Sequence, residues 1–134
     1  MKIEHPSEPR PAPRSVLIVD DDDDAREMMG ELLDAMGHNT VKAATAGEAL
    51  ELVERGSLDL ALIDLGLPDV DGCEIARRIR RTVAGAGMRL VALTGYSDDA
   101  TRQSAVAAGF DDFVVKPAYP ATIEAVVNAA PSGS

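Results

Sequence analysis

The stretch VLIVDDDDDAREMM, Val16–Met29, decides the fold. Four apolar residues run without alternation into five consecutive aspartates, Asp20–Asp24, and a helix-spaced pattern follows. An unbroken run of Val, Leu and Ile predicts a strand buried on both faces, as in a parallel sheet covered by helices. Five adjacent carboxylates repel one another and need compensation. Asp22–Asp24 lead into a helix, where negative charge meets the positive end of the dipole and can cap it. Asp20 and Asp21, at the end of a buried strand, need a different partner.

Outward from this stretch the same unit recurs. Further apolar runs occupy 39–44 (NTVKAA), 58–63 (LDLALI), 88–93 (MRLVAL) and 112–116 (DFVVK). Helical patterns separate them. The first places Met28, Leu32 and Met36 four apart on one stripe and stops at Gly37. The second carries Ala46, Leu50 and Val53, and the third, DGCEIARRIRRTVAG at 71–85, carries Ile75 and Ile79 with four arginines on its other faces. The fourth, SDDATRQSAVAAG, opens on capping residues, is Ala-rich and stops at Gly109. The fifth opens with Pro120 and ends before Pro131. Five βα units predict an α/β doubly wound parallel sheet, whose site lies at the carboxyl ends of the strands.

Those ends carry Asp20 and Asp21 after the first strand, Asp64 after the third, Thr94 after the fourth and Lys116 after the fifth. The second ends in AATA and brings no such group. Singly, each residue has an ordinary structural reading as a turn, a cap or a surface group. Gathered by one topology, the carboxylates need a cation or a proton. Hard oxygen donors suit Mg²⁺. A carboxylate beside Mg²⁺ and a lysine is a nucleophile toward a phosphoryl group, with the hydroxyl and the ammonium placed to hold its oxygens.

Composition narrows the classes. The chain has 134 residues, 46% of them hydrophobic but only 3% aromatic, so the core must be built from Val, Leu, Ile, Ala and Met. A formal net charge of -10 disfavours nucleic acid and anionic membrane and favours cations or a basic partner surface. The single cysteine, Cys73, permits no intramolecular disulfide. No apolar run approaches the roughly 20 residues of a spanning helix, and a cytoplasmic protein is expected. Residues 1–14 hold four prolines and read as an extended or disordered leader, 15–130 as the domain and 131–134 as a tail.

VLIVDDDDDAR, LIDLGLPDVDG, VALTG and DFVVKPA, in this order and spacing, resemble the receiver domain of bacterial two-component response regulators, from Val16 to Asn128. The resemblance implies a flavodoxin-like five-stranded sheet of order 2-1-3-4-5 with five helices. It implies that Asp64 is the phosphoacceptor, taking its phosphoryl group from a histidine kinase or histidine phosphotransfer protein. Asp21 would ligate Mg²⁺ directly and Asp20 chiefly through water, with Asp64 and the Gly66 carbonyl completing the protein ligands. Lys116 would pair with the phosphoryl group, Thr94 would bond to it, and Phe113 would be the switch aromatic. The Lys116–Pro117 peptide would be cis, and partner choice would lie in the first helix and the loop after the fifth strand. The stretch from Leu93 to Pro117 also resembles receivers attached to hybrid sensor kinases.

Three positions depart from the family's common pattern. Gly66 lacks a side chain above the acceptor, Tyr96 is bulky, and Phe113 lacks the hydroxyl of the frequent tyrosine. Two other classes compete. One is a receiver-like interaction module that works without phosphorylation, which the intact Asp20, Asp21, Asp64, Thr94 and Lys116 set opposes. The other is a Mg²⁺-dependent phosphohydrolase of the haloacid dehalogenase type. Its D-x-D-x-T signature is met at Asp20 and Asp22 but broken at Asp24, and no cap insertion is present. The aspartate run also lacks the spacing of a calcium-binding loop. A regulatory domain is therefore expected rather than an enzyme acting on a separate substrate. With the sequence ending soon after the fifth helix, it reads as a single-domain regulator or a receiver excised from a larger protein.

Overall fold

The computed structural model describes residues 13–67, 70–95 and 98–129. Most of the expected leader, the tail and Tyr96 lie outside the described residues. Strands β1 (Ser15–Val19), β2 (Asn39–Ala43), β3 (Leu60–Asp64), β4 (Arg89–Thr94) and β5 (Asp112–Val115) alternate with helices α1 (Asp23–Ala35), α2 (Ala46–Glu54), α3 (Gly72–Arg81), α4 (Asp99–Ala108) and α5 (Pro120–Asn128). The strands form one parallel sheet in the order β2-β1-β3-β4-β5. This is the flavodoxin-like arrangement expected from the sequence.

Alternate residues along each strand face opposite sides. Leu17, Val19, Ala61, Ile63, Leu90 and Ala92 pack under α2, α3 and α4, against Val53, Ile75, Ile79 and Ala105. Val16, Ile18, Leu60, Leu62, Val91 and Leu93 pack under α1 and α5, against Leu33, Ile123 and Val127. Both faces of the central strands are covered, which is why those strands show no polar alternation. The outer strands correct the expectation of full burial: β2 and β5, paired on one side only, are only partly buried.

Helix starts follow the chain chemistry. Asp22 caps α1 by accepting from the Asp24 and Ala25 N–H groups. Thr45, Asp71 and Asp98 cap α2, α3 and α4. Replacing such a cap by Ala costs about 1 kcal/mol. α3 begins so close to the end of β3 that a Cβ on Gly72 would stand 2.6 Å from the Asp64 carbonyl oxygen. Only glycine lets that turn close against the strand.

Two helix expectations need correction. The pattern at 71–85 predicts a helix to Gly85, but α3 ends at Arg81. There the Thr82 hydroxyl donates to the Ile79 carbonyl at 2.7 Å and accepts from the Gly85 N–H at 2.8 Å, so a side-chain turn replaces the next helical turn. In α1 the expected Met28–Leu32–Met36 stripe faces the core only in part: Leu32 and Met36 are half-buried and pack against it, and Met28 does not. Met28 is 70% exposed, and Leu33 and Gly30 are the residues buried. Lys42 Cε fills the space a Cβ on Gly30 would need, so β2 approaches α1 there.

Candidate functional site

Strand register brings the sequence-predicted groups to one edge. Val19 stands opposite Ile63, so Asp20, the next residue, is level with Asp64 at the end of β3. Asp64 stands opposite Leu93, and Thr94 is one residue beyond it. Thr94 stands opposite Val115, and Lys116 is again one beyond. The site therefore climbs one residue per strand across β3, β4 and β5.

One carboxylate oxygen from each of Asp20, Asp21 and Asp64 can lie within 4.8 Å of the others. Asp20 is 4% exposed, Asp64 8% and Thr94 3%, whereas Asp21 is exposed at the rim. Lys116 Nζ reaches Asp64 Oδ2 at 3.2 Å, and the Gly66 N–H donates to Asp64 Oδ1 at 2.9 Å. The Asp22 N–H donates to Asp20 Oδ1 at 3.0 Å, which turns the chain away from the strand and into α1. Burial pushes the Asp20 carboxyl above its ordinary range. The Asp64 and Asp21 charges add to that push, and the Asp22 N–H and Lys116 oppose it.

Three hard oxygen donors, two on buried residues and one open to solvent, fit a small divalent ion that retains some of its water. A cavity of about 340 Å³ opens beside the acceptor, lined by Asp64, Gly66, Thr94, Thr101 and Lys116. It leaves room for a tetrahedral group between carboxylate, hydroxyl and ammonium. The Lys116–Pro117 peptide is cis.

Phe113 is not brought into this cavity. It sits half-buried on β5 under α4, with the Arg102 guanidinium 4.9 Å from its ring centroid. Sequence reasoning missed Thr101, which lines the cavity from the first turns of α4. It also missed Arg26, which donates to the Asp20 carbonyl at 2.9 Å and ties α1 to the site. Helical spacing from the Asp22 cap was the available signal for Arg26, since that residue falls one turn beyond the cap.

A second hollow, of about 490 Å³, lies between α1 and the start of α5. Met28, Met29, Leu32, Pro117, Ala118 and Pro120 line it, and Asp20 and Lys116 reach its edge.

Residues 16–128 match the response regulator receiver domain family. The chain is 35% identical over 115 residues to the transcriptional regulatory protein AfsQ1 of Streptomyces coelicolor, covering 86% of this chain and 50% of that protein. It is 37% identical over 109 residues to an uncharacterized 14.6 kDa protein of Leptolyngbya boryana, covering 81% and 83%. The chain spans half or less of several other curated relatives, among them 27% of a cyclic di-GMP phosphodiesterase of Thermotoga maritima. The chemotaxis protein CheY4 of Vibrio cholerae superposes with a TM-score of 0.83 at 27% identity, covering 87% of this chain and 97% of that one. The receiver domain of a Pseudomonas aeruginosa sensor histidine kinase, solved with a magnesium ion in its active-site cleft, superposes with a TM-score of 0.79 at 27% identity, covering 87% and 95%.

Proposed function

This chain belongs to the response regulator receiver-domain family of two-component signal transduction, and from that membership we propose that Asp64 is its phosphoacceptor. The donor is a phosphohistidine on a histidine kinase or a histidine phosphotransfer protein. An Asp64 carboxylate oxygen attacks phosphorus, the new O–P bond forms as the P–N bond breaks, and the histidine imidazole leaves. Lys116, now paired with Asp64 Oδ2, moves its ammonium onto a phosphoryl oxygen. The Thr94 hydroxyl, at the end of β4 in the same cavity, bonds to another. The Gly66 N–H holds Asp64 in place through its Oδ1. Asp21, Asp64 and the Gly66 carbonyl would hold Mg²⁺ directly and Asp20 chiefly through water, and the bound ion would neutralise charge on the carboxylates and the phosphoryl oxygens. Catalysis is confined to the domain's own phosphorylation and slow dephosphorylation.

The observation that carries this reading is the Asp20–Asp21–Asp64 cluster with Lys116 on Asp64 at one strand edge. The apolar hollow beside α1 supports a protein donor over a small molecule. Its exposed Met28 and the Pro117–Pro120 segment offer an adaptable surface for a helix of the donor, with Asp20 and Lys116 at the end nearest the chemistry. Among the described residues, no helix is long and apolar enough to cross a membrane.

Incubation with a small phosphoryl donor such as acetyl phosphate, with and without Mg²⁺, tests the acceptor. Wild type should gain one phosphoryl group by intact mass, only with the metal. Asp64→Asn should gain none. Equal labelling of the variant would remove Asp64 from the role.

A further inference from the structure

Arg80, near the end of α3, spends its guanidinium on the far end of α4. Its Nε and one terminal nitrogen donate to the Gly109 carbonyl at 3.0 and 2.7 Å. That nitrogen also meets Asp111 Oδ2 at 2.8 Å. The other terminal nitrogen donates to the carbonyls of Gly85, Ala86 and Met88 in the α3–β4 connection. Asp111 in turn accepts from the Leu90 N–H at 2.8 Å, which anchors the assembly to the start of β4. Gly109 closes α4 in the left-handed conformation, and a Cβ there would stand 2.9 Å from Arg80 Cγ. The arginine therefore packs on the helix end as well as bonding to it.

The two ends of α4 are held unequally. Its buried residues, Ala105 and Ala108, lie in the carboxyl-terminal half, beside the Arg80 clamp. The amino-terminal half holds Thr101, which lines the phosphoryl cavity, and Arg102, which lies over Phe113. We infer that Arg80 makes the Gly109 end of α4 a fixed pivot, so that α4 answers changes at Asp64 by swinging its Thr101–Arg102 end while its Gly109 end stays in place. Loosely packed segments with few buried apolar groups are the ones that open at low cost, and charge-assisted hydrogen bonds are the stronger ones. The swing carries Arg102 across the face of Phe113 and so links the cavity to the surface formed by α4 and β5. Arg80 is a positioning residue: it touches no reacting group. This inference rests on the phosphoacceptor reading of the same cavity.

Backbone hydrogen exchange of the full chain with Mg²⁺, in the presence and absence of beryllium trifluoride as a phosphoryl mimic, tests it. Native mass spectrometry first establishes whether the mimic binds; failure to bind overturns the phosphoacceptor reading and the pivot with it. With the mimic bound, exchange in wild type should change at 99–104 and stay constant at 105–110. In Arg80→Lys and in Asp111→Asn the mimic should also change exchange at 105–110, by about tenfold or more, the worth of one charge-assisted hydrogen bond. A merely structural arginine would loosen 105–110 equally with and without the mimic, and that result overturns the pivot. So does a wild-type response spread evenly along α4.

Discussion

At the amino-terminal edge of the sheet, charged groups meet partners from the chain itself. Arg89 pairs with Asp112 at 2.8 Å and donates to the Val126 carbonyl at 3.2 Å. Asp59 accepts from the Ser15 N–H at 2.7 Å, and His38 Nδ1 from the Arg14 N–H at 3.0 Å. At the carboxyl edge, the Asp20 and Asp64 carboxylates are buried and crowded with Asp21, Asp64 pairs with the half-exposed Lys116, and Arg26 spends its guanidinium on Asp23 and the Asp20 carbonyl rather than on a clustered carboxylate. One edge is balanced internally and the other is left short of positive charge. Charge that the fold satisfies for itself holds the chain together. Charge that it leaves crowded is available to a ligand.

The contrast can be broken most strongly at the carboxyl edge. Asp21→Ala should lower Mg²⁺ affinity by on the order of 100-fold and abolish metal-dependent phosphorylation, read by titration and by intact mass. Its thermal stability without metal should stay level or rise, because one repelling carboxylate is gone. An unchanged metal affinity would take Asp21 out of the site. At the opposite edge the signs reverse. Arg89→Met should cost about 1 kcal/mol of stability by denaturant unfolding, since it removes the partly exposed Asp112 ion pair and the hydrogen bond to the Val126 carbonyl. It should leave Mg²⁺ affinity unchanged.

Within the aspartate run the same division should hold on a smaller scale. Asp22→Ala removes the α1 cap and should cost about 1 kcal/mol, with the change in metal affinity well below that of Asp21→Ala. The smallest effect is expected at His38. Burial first, and then the Arg14 charge, hold its imidazole below the ordinary histidine range. The unfolded chain then takes up the proton before the folded one does, so this contribution is complete above about pH 6.5 and fades as pH falls toward the lowered value. His38→Asn should flatten that acid decline in a stability-against-pH series.

Much of this was legible in the sequence for physical reasons. Unbroken Val, Leu and Ile runs of four to six residues, alternating with helix-spaced segments, point to strands covered on both faces, and such strands are parallel and gather their ends at one edge. Asp20, Asp21, Asp64, Thr94 and Lys116 could therefore be placed together without a structure. Contacts that depend on distance in space were not legible. Nothing near Arg80 in the sequence points to Gly109, and α3 stops at Arg81 because of a hydroxyl turn that helical periodicity cannot register. The exposure of Met28 follows from the rotation of α1 about its axis, which the aspartate cap and Gly30 against Lys42 fix together. Phe113 could be placed on the fifth strand, but its position under Arg102 depends on the packing of α4.

The one-residue climb of the site from β3 to β5 also constrains how such a chain can change over generations. Lengthening the connections at the amino-terminal edge shifts no site residue, so insertions there are tolerable. Deleting one residue inside β3 or β4 would turn every later side chain of that strand to the opposite face. It would carry Asp64 or Thr94 away from its partners. Inherited variation in length should therefore be confined to the edge where charge is already balanced, while strand lengths stay fixed and change comes by substitution alone.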